Sequence, residues 1–201
     1  MLLCFGDSNC WGWDPAGGRH AAALRWPDRL ARRLGQPLHN LGQPGRTLAF
    51  NDAARGLVSA RDQWQAALTA QPAYLVLALG INDLAAGGSP DGIGQALDSY
   101  LEDWQAAGRP GQLQLLAPAP IPALQGPWRN LFGHHSAQAP ALLPLWQAAA
   151  RHWRLACLDP SAMLGSSQDG LHWTAEAHGA IAQALGDAFA GASVGPAEGA
   201  G

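Results

Sequence analysis

Ser8, Asp169 and His172 have the types needed for a nucleophile, an orienting acid and a base, and Asn82 adds a side-chain amide donor. A serine hydroxyl is a weak nucleophile until a histidine takes its proton. The histidine needs a carboxylate to hold its tautomer and stabilise the imidazolium. Asp169 and His172 stand three residues apart, so one loop can present both. The attacked carbonyl becomes an oxyanion, and losing one preorganised donor to it typically costs ~3–4 kcal/mol. Asn82 offers an NH2 group. Gly45 can bring its backbone N–H close because it has no Cβ. Ser8 adds a third N–H if it sits in a turn leading into a helix. The chemistry such a set would do is acyl transfer.

These residues are far apart in sequence, so the elements around them must gather them. Residues 2–5 form a short apolar run that predicts a buried strand ending at Gly6-Asp7-Ser8-Asn9. Residues 24–34 predict a helix with Pro27 in its first turn and Gly35 at its end. A second strand over 37–41 delivers Gln43-Pro44-Gly45, and residues 48–70 read as helix in pieces. The run 73–79 is the clearest strand, apolar throughout and so covered on both faces, and Ile81-Asn82-Asp83 follows it. A helix over 93–107, a strand over 112–117 and a mostly helical stretch over 137–153 come next, with proline-rich loop over 118–127. A strand over 155–158 and a helix over 174–190, capped by Thr174, bracket Asp169 and His172. The alternation implies one three-layer α/β domain over 1–190 with a parallel sheet, followed by a disordered tail over 191–201. In such folds ligands bind at the carboxyl edge of the strands. Each candidate residue follows a strand, so that edge collects them all.

Four blocks in order, GDSN around Ser8, NLGQPG ending at Gly45, GIND around Asn82 and DGLH ending at His172, resemble those of the SGNH hydrolases, or GDSL esterases. They span residues 6–172, most of the chain. FGDSNCWGW, RWPDRLA, LGIND, the PAP stretch and DGLHWT resemble the arylesterase and acyltransferase branch in particular. The resemblance implies a flavodoxin-like sheet of five parallel strands in the order 2-1-3-4-5. It implies Ser8, His172 and Asp169 as the triad, and Ser8, Gly45 and Asn82 as the oxyanion hole. The implied activity is hydrolysis of short-chain or aryl esters, with transfer to an alcohol or peroxide, or sugar O-deacetylation, as alternatives. Asn9 stands where the block name has leucine; that position is variable and carries no direct catalytic role, so the departure is minor.

Plainer readings exist for the same residues. Ser8 alone is as well suited to cap a helix as to attack a carbonyl, and only the other three blocks tip the balance. Asp83 is a natural helix cap beside Asn82. His134-His135 lack a carboxylate or cysteine at ligand spacing, so no metal is expected, and no cofactor. His178 reads as structural. Most of the nine tryptophans belong to the core or to a protein interface, which leaves room for a homo-oligomer. Trp13, near Ser8, is the best candidate for a pocket wall, with Ile81, Leu171 and Phe132 behind it; such walls favour small acyl groups.

Composition narrows the partners. The net charge is -3 with no basic patch, which argues against nucleic acid. All twelve basic residues are arginine, which removes lysine chemistry and the P-loop. GDSNCWG lacks GxGxxG spacing, which argues against a dinucleotide site. Three cysteines without CxxC spacing read as free thiols. No run approaches the ~20 apolar residues of a membrane span. No basic segment precedes the first apolar run, so a cytoplasmic protein acting on a small ester is expected.

Overall fold

β1 (Leu2–Gly6) lies at the heart of a five-stranded parallel sheet in a computed structural model that describes residues 1–192. It enters α1 (Ser8–Trp11), and α2 (Trp26–Leu34) follows with Pro27 in its first turn and Gly35 closing it in the left-handed conformation. β2 (Leu38–Gly42) pairs with one side of β1. The chain then makes β3 (Arg46–Thr47), a 3-10 turn over Ala53–Arg55, β4 (Val58–Ser59) and α3 (Arg61–Thr69). β5 (Tyr74–Ala78) pairs with the other side of β1, and α4 (Ile81–Ala85), α5 (Pro90–Ala106) and β6 (Gln112–Leu116) come next. α6 (Gly126–Phe132), a 3-10 stretch over Gly133–Ala141, α7 (Leu142–Trp153), β7 (Ala156–Leu158), a 3-10 turn over Ser161–Met163 and α8 (Ala175–Ala192) complete the described chain. Residues 193–201 of the expected tail lie outside the described residues.

The sheet order is β2-β1-β5-β6-β7. With the short β3–β4 pair set aside, this is the 2-1-3-4-5 order that the sequence motifs imply. Side chains alternate along β1 as a strand requires. Leu2 and Cys4 join one buried cluster with Trp26 and Leu30 of α2 and Ile181 and Leu185 of α8. Leu3 and Phe5 join the other with Trp64 of α3, Tyr100 of α5 and Trp146 of α7. The two clusters make three layers, helices on either face of the sheet.

Gly6 is in register with Gly42 on one side and Ala78 on the other. The strands therefore stop level, and the segments after them leave the sheet along one edge. That register is what carries Ser8, Gly45 and Asn82 toward each other.

The stretch 48–70, expected as helix in pieces, has a single 3-10 turn over Ala53–Arg55 and is α-helical only from Arg61. The Asp83 carboxylate takes the amides of Leu48, Ala49 and Phe50 at 2.8, 2.9 and 3.1 Å, so those amides are withdrawn from any helix. The proline-rich loop ends at Gln125 because Pro127 falls in the first turn of α6, where its missing N–H costs nothing. Residues 137–141 are 3-10 rather than α-helix, with Pro140 inside the stretch. Thr174 caps α8 through its Oγ1, which accepts from the Ala177 amide at 3.3 Å.

Candidate active site

Ser8 opens α1, and the capping position before it belongs to Asp7, whose carboxylate accepts from the Asn9 amide at 2.9 Å. The serine side chain is thus released from capping and turned toward His172. Ser8 Oγ lies 3.0 Å from His172 Nε2, and His172 Nδ1 lies 2.6 Å from Asp169 Oδ2. The other Asp169 oxygen accepts from the amides of Leu171 and His172 at 2.9 and 2.8 Å and from Ser167 Oγ at 3.1 Å. Burial pushes the Asp169 carboxyl up, but the hydrogen bonds from the His172 ring and these amides outweigh it and hold it at about 2. Asp169 is therefore a carboxylate wherever His172 could act as a base. Gly170, between them, has φ 74°, and a Cβ there would run into the backbone of Ala123.

The oxyanion candidates share one small space with Ser8. Ser8, Gly45, Asn82, Trp13, Leu171 and His172 line a cavity of about 180 Å³, together with Pro44, Arg55, Gly56, Leu57, Trp128 and Leu131. Asn82 Nδ2 donates to Arg46 O at 3.1 Å, which fixes the amide plane and uses one of its two N–H bonds. Gly45 has φ 75°, and a Cβ there would strike the carbonyl oxygen of Gly56. Arg46 locks this loop from below. Its guanidinium lies 4.6 Å over the Phe5 ring and donates to Leu41 O, Gln43 Oε1 and Gln63 Oε1.

Indoles flank the histidine. The Trp13 ring stacks on His172 with centroids 5.2 Å apart, and Trp128 meets the same ring edge-on at 4.9 Å. Trp11, Trp13 and Trp128 are the half-buried tryptophans; the other six are buried. Phe132, expected as a pocket wall, is instead fully buried in the core at the end of α6, and its neighbour Leu131 faces the cavity. Ile81 also lies off this cavity: it lines a second one of about 300 Å³ between the ends of β5 and β6, along with Leu171 and His172. Asp7 sits at the wall of that second cavity, and burial pushes its carboxyl up to about 7 against the lowering effect of the Asn9 and Cys10 amides.

Sequence reasoning passed over Trp128, Asn9 and the bracing role of Asp83. Trp128 follows Gly126-Pro127, a helix-start signal inside a stretch otherwise legible only as loop. Among the described residues no cluster of three or more His, Cys, Asp or Glu is arranged to hold a metal ion, and no helix is long and apolar enough to cross a membrane.

The family profile described as "GDSL-like Lipase/Acylhydrolase family" matches residues 4–180, nearly the whole chain. The chain belongs to this GDSL-like family. Membership places it among carboxylic ester hydrolases. Solved structures agree on the GDSL-like fold. A carbohydrate acetylesterase from Sinorhizobium meliloti, Est24, superposes with a TM-score of 0.85 over 95% of this chain and 98% of its own, at 24% identity. The M. smegmatis aryl esterase gives a TM-score of 0.81 over 93% and 98%, at 22% identity. A suggested arylesterase from Agrobacterium tumefaciens gives 0.78 over 94% and 98%, at 29% identity. Curated protein sequences give no match.

Proposed function

We propose that this GDSL-family protein is a serine esterase that hydrolyses short-chain acyl or aryl esters through an acyl-enzyme on Ser8. The observation that carries the reading is the unbroken line Ser8 Oγ–His172–Asp169, with steps of 3.0 and 2.6 Å, beside a cavity of about 180 Å³. His172 Nε2 takes the hydroxyl proton as Ser8 Oγ attacks the ester carbonyl. Asp169 holds the Nδ1–H tautomer and stabilises the imidazolium. The oxyanion forms among the N–H groups of Ser8 and Gly45 and the free N–H of Asn82. His172 returns its proton to the leaving oxygen, and the ester bond breaks. Water then gives its proton to His172 and attacks the acyl-serine, and His172 returns that proton to Ser8 Oγ as the acid leaves.

Cavity size supports a short acyl group, because an apolar space of about 150 Å³ is filled by one benzene ring. Rates on p-nitrophenyl esters should fall from acetyl to dodecanoyl, and a steep rise would refute the size argument. Ser8→Ala should abolish turnover in a folded protein.

The same small acyl site supports a second reading, removal of an acetyl group from a sugar hydroxyl, the activity named for the Sinorhizobium meliloti neighbour. Peracetylated xylose assayed beside p-nitrophenyl acetate separates the two. Added alcohol in the same assay tests transfer: an alkyl acetate product would mark an acyltransferase.

A further inference from the structure

Asn9 follows the nucleophile, is 6% exposed, and uses every polar atom it has. Its amide donates to Asp7 Oδ1 at 2.9 Å, and its carbonyl accepts from Trp26 Nε1 at 3.1 Å. These two bonds fix its backbone. Its side chain then crosses to the other half of the site. Oδ1 accepts from the Trp173 amide at 3.1 Å, and Nδ2 donates to Leu171 O at 3.3 Å. The two partners are the residues immediately before and after His172. One side chain, attached next to Ser8, therefore grips the backbone on both sides of the base.

The Asp169 bond orients the His172 ring but says nothing about its distance from Ser8. That distance is set between α1 and the loop carrying residues 169–173, and the Asn9 amide joins these two segments directly. A carboxylate at this position would keep the acceptor and lose the donor. A leucine, branched at the same carbon, would lose both.

We propose that Asn9 is a positioning residue that sets the Ser8–His172 separation, an inference that rests on the reading of Ser8 as nucleophile and His172 as base. Misplacing reacting groups by about 1 Å costs on the order of 100-fold. Asn9→Leu should lower kcat on p-nitrophenyl acetate by about 10- to 100-fold with KM within about twofold, and should slow labelling of Ser8 by a fluorophosphonate in parallel. Asn9→Asp, which keeps the Trp173 bond, should fall between it and the parent. Rates are referred to folded protein by near-ultraviolet circular dichroism.

A parent protein inactive on every ester would sink the esterase reading. An active parent, an inactive Ser8→Ala and an Asn9→Leu with parental kcat would sink this proposal alone. Loss in Asn9→Leu that matches its unfolded fraction would sink it too. Amide exchange in the parent gives a test independent of the variants: the Trp173 N–H should exchange slowly, and exchange at the unprotected rate would overturn the proposal.

Discussion

The Trp13 ring lies parallel to His172, centroids 5.2 Å apart and planes 23° from coplanar, and Trp128 closes on the same imidazole from its edge. The His172 ring is held in an aromatic slot as well as by the Asp169 carboxylate. Ring pairs of this kind contribute about 0.5–1.5 kcal/mol beyond their burial. Trp13→Ala should therefore lower kcat/KM on acetyl esters by roughly 2- to 10-fold. It should also widen the cavity, raising the rate on hexanoyl relative to acetyl esters. A chain-length profile unchanged from the parent would show that Trp13 is no wall of the acyl site.

Asp169 holds the same ring at Nδ1. Because its carboxyl is held at about 2, it stays charged through the whole range in which a histidine base works. Asp169→Asn removes that charge and favours the wrong tautomer. By the behaviour of other triads kcat should drop by about 10⁴-fold, with little change in KM. The pH–rate profile of the parent should show no acid-limb step from this carboxyl above about pH 3.

Asp83 braces the segment that follows Gly45 and Arg46. Its two oxygens accept from the amides of Leu48, Ala49 and Phe50, and it is completely buried. Asp83→Ala strands three amides and should destabilise the fold by at least about 3 kcal/mol. In a chain of this size that is roughly a 10 °C fall in Tm. Asp83→Asn, which keeps one acceptor oxygen, should lose less. Thermal denaturation of the three proteins checks the order.

Two buried groups give stability an opposed pH dependence. Burial, helped by the charges of His20, Arg29 and Arg25, pushes His178 down to about 3 from the usual 6.5. The folded state keeps it neutral while the unfolded chain takes a proton. Its contribution is thus present above about pH 6.5 and is lost as pH falls toward 3. Asp7 runs the other way. Its carboxyl, raised to about 7 by burial, contributes stability below about pH 4 that is lost as pH rises through 7. Urea unfolding between pH 4 and 8 should show His178→Gln with a shallower acid loss than the parent. Asp7→Asn should gain on the parent as pH rises. Parallel curves for all three proteins would contradict both assignments.

The sheet was legible because its central parallel strands, residues 2–6 and 74–78, are nearly continuous apolar runs. Ser8, Asn82, Asp169 and His172 stood out as candidates through four sequence blocks in order, and the fold brings them together. The arm from Leu48 to Ser59 was not legible. Its helical appearance yields to a carboxylate that arrives 33 to 35 residues later, a tertiary effect with no local signal. Trp128 escaped because its approach to His172 depends on how α6 returns over the site. Asn9 reads in the sequence as a minor departure from a motif letter, because its side-chain partners lie more than 160 positions away. Phe132 and Leu131 show the limit at its finest: one residue of helix register decides which enters the core and which the cavity.

The central claim, that Ser8 is the nucleophile, is tested most directly with a fluorophosphonate ester, which arrests the reaction at the covalent stage. Peptide mass spectrometry of the inactivated protein should find one phosphonyl group, on Ser8, with activity lost in proportion to its incorporation. Inactivation with Ser8 unmodified, or full esterase activity with Ser8 quantitatively modified, would contradict it.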